Sequence, residues 1–383
     1  MALHFERTEF DARRDRLVIE MADKKLDAML LFAQESMYWL TGYDTFGFCF
    51  FQCLVVKADG SMVLLTRSAD LRQAKHTSTI DNVVLWTDRD NANPALDLRN
   101  LLNDLDLLGA NIGVEYDTHG LTAFNGRRLD EQLQTFAKIS DQSPLIPRLR
   151  LLKSPAEIAK ATKAAALADD ALDAALKLIK QGADEGAILA AMQGAIFAGG
   201  GDYPANEFII GSGADALLCR YKAGRRKLNK NDQLTLEWAG VFHHYHAAMM
   251  RTVIVGKVSK RHQELFDAAR DALLAVEKAM VPGKTFGDVF DAHARVMETH
   301  GLTRHRLNAC GYSLGARFTP SWMDMPMFYS GNPEPIAPDM TLFAHMIVMD
   351  SDTETAMTLG RTYLTTESDP TALSRHDLDL IVR

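Results

Sequence analysis

Residues 232–256 read DQLTLEWAGVFHHYHAAMMRTVIVG. Two β-type runs, QLTLEWAG at 233–240 and HAAMMRTVIVG at 246–256, flank a histidine-rich turn. Apolar runs of this length on either side of a turn read as a hairpin. Side chains alternate across a strand, so Leu234, Leu236 and Trp238 share one face while Thr235 and Glu237 take the other. A carboxylate set among apolar neighbours has a raised pKa unless it is paired, which suits a general base or a carboxylate nucleophile. A structural ion pair of Glu237 with Arg251 or Arg220 is the competing reading.

Around this hairpin lie further β-type segments, EFIIGSG at 207–213, TLFAHMIV at 341–348 and MTLGRTYLTT at 357–366. Two helical stretches, 261–280 and 286–300, are joined by Val281-Pro282-Gly283-Lys284. Helices on one face of a largely antiparallel sheet make an α+β layer. Upstream, Ser154-Pro155-Ala156-Glu157 opens a helix with three agreeing signals: Ser as N-cap, Pro at the first helical position and Glu closing a capping box. That helix runs to Gly182, and a second spans Asp184 to Gly199. The first part of the chain alternates helix and strand: helix at 9–25, strands at 27–32, 48–57, 62–66, 82–86 and 111–115, helix at 94–107. Asp59-Gly60 marks a hairpin turn. This is an α/β pattern. The boundary falls in Ile146–Lys153, giving an α/β domain over 1–150 and an α+β domain over 151–383.

A chain of 383 residues suits two domains. Its 47% hydrophobic and 24% charged residues are ordinary for a globular protein, and a net charge of −8 disfavours nucleic acid and anionic membranes as partners. No apolar run reaches 18 residues and the charged N-terminus lacks a signal peptide's apolar core. Four scattered cysteines, Cys49, Cys53, Cys219 and Cys310, fit reduced thiols. A cytoplasmic location is expected. The C-x3-C pair Cys49/Cys53 reads as small strand residues, not a zinc site.

Five ordered elements resemble the creatinase/aminopeptidase P/prolidase superfamily, the M24 or pita-bread fold: Lys153–Ile158, Ser212-Gly213-Ala214-Asp215, Asp232–Gly256, Val281-Pro282-Gly283, and Gly311-Tyr312-Ser313-Leu314-Gly315 with the last two strands. The resemblance covers about the last 230 residues, and the N-terminal domain in general layout. It implies a pita-bread catalytic domain behind a creatinase-type N-terminal domain. Metallopeptidases of this superfamily hold two metal ions with two Asp, one His and two Glu. Here those positions match Glu237, Ala248, Tyr312, His345, and Gly360 or Arg361, and Arg220 stands where the peptidases carry a substrate-binding His. Ala and Gly offer no donor, and a dinuclear oxygen-rich site needs several carboxylates. No metal or other cofactor is expected. Leu236-Glu237-x-Ala-Gly240, Tyr245-His246, Arg251-Thr252-Val253, Pro320-x-Trp322 and Leu40–Asp44 are similar to ectoine hydrolases, a metal-free branch alongside creatinase.

The expected site has Glu237, His345 and His246 as catalytic groups, with His345 or His246 moving protons. Arg220, Tyr221, Tyr312, Trp322 and Tyr43 would bind a small-molecule substrate: Arg220 clamping a carboxylate, Tyr312 meeting a developing oxyanion, and Trp322, Phe318 and Met323–Met327 walling the pocket. His243 and His244 read as solvent-facing turn residues, and Asp324 as pairing with a cationic substrate or lying exposed. The resemblance also implies a homodimer in which Tyr43, Asp44 or Phe46 reaches a neighbouring pocket. The leading reading is a metal-independent hydrolase of a C–N bond in a small amidine, cyclic amidine or amide. A metal-dependent Xaa-Pro peptidase and a non-catalytic small-molecule or peptide binder are the alternatives.

Overall fold

A computed structural model describes residues 3–220, Gly224 and residues 226–383; Tyr221, expected to bind substrate, lies outside the described residues. The chain divides into two compact units, Met1–Arg150 and Leu151–Arg383.

In the first unit, helix α1 (Arg7–Asp23) precedes β1 (Ala28–Leu31), α2 (Gln34–Thr41), β2 (Cys53–Lys57), β3 (Met62–Arg67), α3 (Leu71–Thr77), β4 (Asn82–Trp86), α4 (Pro94–Asp104), β5 (Asn111–Val114), α5 (Ala123–Leu133), β6 (Lys138–Asp141) and α6 (Leu145–Leu151). The strands form a mixed sheet in the order β4-β3-β2-β1-β5-β6. The β2–β3 pair is the expected Asp59-Gly60 hairpin. Gly60 takes φ +80°, a conformation a glycine adopts without strain, and Asp59 accepts hydrogen bonds from Ser61 N and Oγ. The β-prone stretch from Phe48 does not extend throughout: Gly47–Cys49 is a single 3-10 turn and the strand starts at Cys53. Cys53 is a buried strand residue, whereas Cys49 is exposed.

Helix α2 has Ala33 at its N-cap, which cannot cap it. Glu115, just past β5, does so from 80 residues away: it accepts from Phe32 N (3.1 Å), Ala33 N (3.0 Å) and Ser36 Oγ (2.5 Å). Burial pushes its carboxyl up to about 7 although these donors pull it down. Removing the acceptor strands two buried N–H groups. Glu115→Ala is therefore expected to cost about 2–4 kcal/mol in urea unfolding, and Glu115→Gln distinctly less.

The second unit begins with α7 (Pro155–Leu178), whose capping box has both arms in place: Glu157 N to Ser154 Oγ and Ser154 N to Glu157 Oε2. There follow α8 (Glu185–Ala198), β7 (Ile209–Ser212), β8 (Asp232–Phe242), β9 (Tyr245–Val255), α9 (Lys260–Ala279), α10 (Phe286–Thr299), β10 (Gly311–Ser313), β11 (Asp324–Met327), β12 (Thr341–Asp350), β13 (Thr355–Leu364), β14 (Thr371–Ala372) and β15 (Ile381–Val382). The main sheet runs β11-β10-β12-β13-β9-β8-β7, every neighbouring pair antiparallel.

One face of this sheet carries the helices. Trp238 Nε1 donates to Ala168 O of α7 at 2.8 Å, and a Cβ at Gly240 would stand 1.9 Å from Ala164 O. Gly240 is therefore the position at which helix and strand backbones touch. On β13 the same face presents Arg361 and Tyr363, which both bond Glu277 of α9. Leu342, Ala344, Met346 and Val348 of β12 join the α9–α10 core. Alternation sends the intervening residues, Glu237 and His345 among them, to the opposite face.

Candidate active site

Antiparallel register aligns the site. Glu237 of β8 opposes Met250 of β9, Met250 opposes Gly360 of β13, and Gly360 opposes His345 of β12. These four residues make one transverse row on the helix-free face. One pair along, Ala248 opposes Ala239, Phe343 opposes Thr362, and Tyr312 of β10 opposes Phe343. On the other side, Thr235, Thr252 and Thr358 form a hydroxyl ladder, with Oγ–Oγ distances of 3.4 and 3.1 Å.

Within this array Glu237 makes no hydrogen bond or ion pair among the described residues. Arg251 projects from the helix face, where it bonds the carbonyls of Met250 and Gly360. It is no partner for Glu237. Burial drives the Glu237 carboxyl up to about 7, against the pull of the Arg220 guanidinium. Arg220 itself is exposed. The Glu237 charge in turn raises the Tyr312 phenol and the Cys219 thiol, each already raised by burial. Tyr312, Phe343 and His345 pack ring to ring, with centroids 5.4–5.6 Å apart. Trp322 Nε1 donates to Tyr312 Oη at 2.9 Å.

Both candidate histidines are buried and neutral. Burial lowers His345 to about 3, with His293 adding to the shift, and His246 to about 3, with His244 adding. His345 Nδ1 has no hydrogen-bond partner among the described residues. His246 Nε2 accepts from Ala205 N at 3.0 Å, which places its proton on Nδ1.

The sheet thus brings Glu237, Arg220, Tyr312 and His345 together and sets Trp322 and His246 behind Tyr312. Tyr43 is not with them. Its ring is wholly buried in the core of the first unit and its hydroxyl donates to Gln52 at 3.2 Å, so it packs that core instead of meeting a substrate. Phe46, by contrast, is 76% exposed. His243 and His244 are half-buried rather than fully open to solvent. Both take positive φ, +50° and +64°, in a two-residue hairpin turn. His243 stacks on Phe242 and His244 on Phe318, with centroids 4.2 and 4.1 Å apart. Asp324 is buried against Arg317 at 3.5 Å and is not offered to a cationic substrate. Residues missed in the sequence are Met250 and the threonine ladder, which line the site through register that one strand alone does not reveal.

The model of metallopeptidase family M24 matches residues 159–367, and that of the creatinase/prolidase N-terminal domain matches residues 13–152. The chain belongs to family M24. It is 27% identical over 364 residues to an ectoine hydrolase of Halomonas elongata, covering 89% of each chain. It is also 27% identical over 391 residues to an uncharacterized hydrolase/peptidase of Sinorhizobium fredii, covering 99% of this chain and 97% of that one. The fold matches a prolidase from Thermococcus sibiricus, with TM-score 0.87, 18% identity, and 98% and 99% of the two chains covered. A dipeptidase from Mycobacterium ulcerans matches with TM-score 0.86, 20% identity and 99% of each chain.

The M24 ligand positions do not fit a dinuclear metal centre here. Glu237 and His345 stand in the right row, but between them Gly360 faces the site without a donor. Arg361, the other candidate position, faces α9 and bonds Glu277 at 2.8 Å. Ala248 adds none, and Tyr312 offers a phenol held protonated. One carboxylate cannot neutralise two dications. Among the described residues, His305, Asp350 and Asp352 lie close enough to share an ion, but Arg261 and Arg304 already pair with the two carboxylates.

Proposed function

We propose that this member of the M24 hydrolases cleaves a C–N bond of a small amidine or cyclic amidine, without a metal ion, using Glu237 as general base. The observation that carries the reading is the Glu237 carboxyl, unpaired among the described residues on the helix-free face and poised near neutral pH, where the family's other carboxylate positions match Ala248, His345 and Gly360. A base with its pKa at the working pH transfers protons most effectively. Ionised Glu237 takes a proton from water as the C–O bond forms at the amidine carbon. The carboxylic acid then returns that proton to the leaving nitrogen as the C–N bond breaks, giving an amide and an amine. With their pKa values near 3, His345 and His246 hold no proton to give as acids at neutral pH, so the shuttle expected of them passes to Glu237, and the imidazoles serve as neutral hydrogen-bonding groups. Arg220 at the rim supplies the cation for a substrate carboxylate. The likeness to an ectoine hydrolase supports this substrate class. On the same footing we take the protein to be a cytoplasmic homodimer.

The test is turnover by purified, chelator-treated protein of ectoine-type cyclic amidines, creatine-like guanidines and Xaa-Pro dipeptides. Hydrolysis of an amidine in the presence of chelator is expected. Turnover only with added divalent metal, or only of Xaa-Pro peptides, would overturn the assignment.

A further inference from the structure

Trp322 is buried, at 1% exposure, and anchored on two sides. Its backbone N–H donates to Asn206 Oδ1 at 3.1 Å, and its ring lies 6.3 Å from His246, itself held by the N–H of Ala205. Its indole N–H donates to Tyr312 Oη at 2.9 Å. An indole nitrogen can only donate, whereas a phenol has one proton and lone pairs to accept with. The direction of this bond is therefore fixed, and the Tyr312 proton is not used on Trp322. No other side chain or carbonyl among the described residues accepts it.

Building on the reading above, we propose that Trp322 is a positioning residue: it fills a lone pair of the Tyr312 hydroxyl and so keeps that hydroxyl as a standing hydrogen-bond donor for the Glu237 site. Such a donor meets the oxygen that becomes bonded to the substrate carbon, where negative charge develops. The buried phenol beside Glu237 resists ionisation, which preserves the donor at alkaline pH. A packing role alone for Trp322 predicts no dependence of its effect on the Tyr312 hydroxyl.

Two measurements test this. The first needs no turnover. With four tryptophans in the chain, the Trp322 indole 15N–H signal is assigned by its loss in Trp322→Phe. Tyr312→Phe is expected to shift that signal upfield while those of Trp39, Trp86 and Trp238 stay in place. An unmoved Trp322 signal overturns the proposal, whether or not the protein hydrolyses an amidine. The second is kinetic. Tyr312→Phe is expected to lower kcat about 10²-fold and Trp322→Phe about 10-fold, with KM little changed. The double variant should be no worse than Tyr312→Phe. Losses that multiply in the double variant, or that fall on KM, would show that Trp322 does not act through Tyr312. Matching far-UV spectra and cooperative melting of all three variants establish that they are folded.

Discussion

Glu237→Gln is expected to lower kcat/KM by about 10²–10⁴-fold and at the same time to stabilise the protein above pH 7. The catalytic half follows from the loss of a pocket group that gains and loses a proton near neutrality. The stability half follows from linkage. The folded-state carboxyl titrates at about 7, above its ordinary value of 4.5, so between those values the native state holds a proton that the unfolded chain has released. Stability falls as pH rises through that window and stays low above it. Glutamine carries no charge to desolvate and escapes the loss. A shift of this size corresponds to about 3 kcal/mol at most, and the partly open position of the side chain discounts it to about 1–2 kcal/mol. Urea unfolding at pH 5 and pH 8 reads the difference, with the variant gaining on the native protein only at the higher pH. The pH profile is the companion measurement. kcat/KM of the native enzyme should rise about tenfold per unit below pH 7 and level above it. No second limb between pH 5 and 9 is due to His345 or His246, since both titrate near 3. Retained activity in Glu237→Gln, or a profile that falls through pH 7, would remove Glu237 from its role as base.

Much of the fold was legible because the signals were local. The Ser154–Glu157 capping box, the Asp59-Gly60 turn and the alternation Leu234/Leu236/Trp238 against Thr235/Glu237 each specify geometry over a few residues. The same alternation separated Gly360 from Arg361 only once register was known: His345 opposes Gly360, so the glycine faces the site and the arginine faces α9. Helix α2 gave no sequence signal, since its cap is Glu115, which is brought in by the sheet. The hairpin turn at His243-His244 uses two positive-φ residues without the usual Asn or Gly, and ring stacking on Phe242 and Phe318 accompanies it. Tyr43 misled because its reading rests on the family resemblance of Leu40–Asp44, and a resemblance does not separate an aromatic that packs a core from one that reaches a pocket. The Glu237–Tyr312–His345 grouping was readable from the family pattern, whereas the Trp322 bond to Tyr312 required coordinates.

Restoring a carboxylate at position 360 should fail to restore a metal site, and Gly360→Glu is expected to destabilise the protein by about 2–4 kcal/mol. Two separate costs add. A Cβ at Gly360 would sit 2.9 Å from Ala344 O and 3.0 Å from two Phe343 ring carbons, so the Phe343 ring must move. The new carboxylate would then lie in the row between Met250 and His345, where the imidazole is neutral and offers no compensating charge. Gly360→Ala isolates the first cost, and the difference between the two variants in urea unfolding gives the second. Manganese or zinc should not rescue Gly360→Glu, because Ala248 and the neutral His345 still withhold their share of the charge that two dications require. Metal analysis of the native protein bears on the same point from the other side. If it carries divalent ions near stoichiometry, or if manganese raises the unfolding midpoint of Gly360→Glu, then the face between β8 and β12 holds metal by a donor set other than the family's, and Glu237 acts as a ligand rather than a free base.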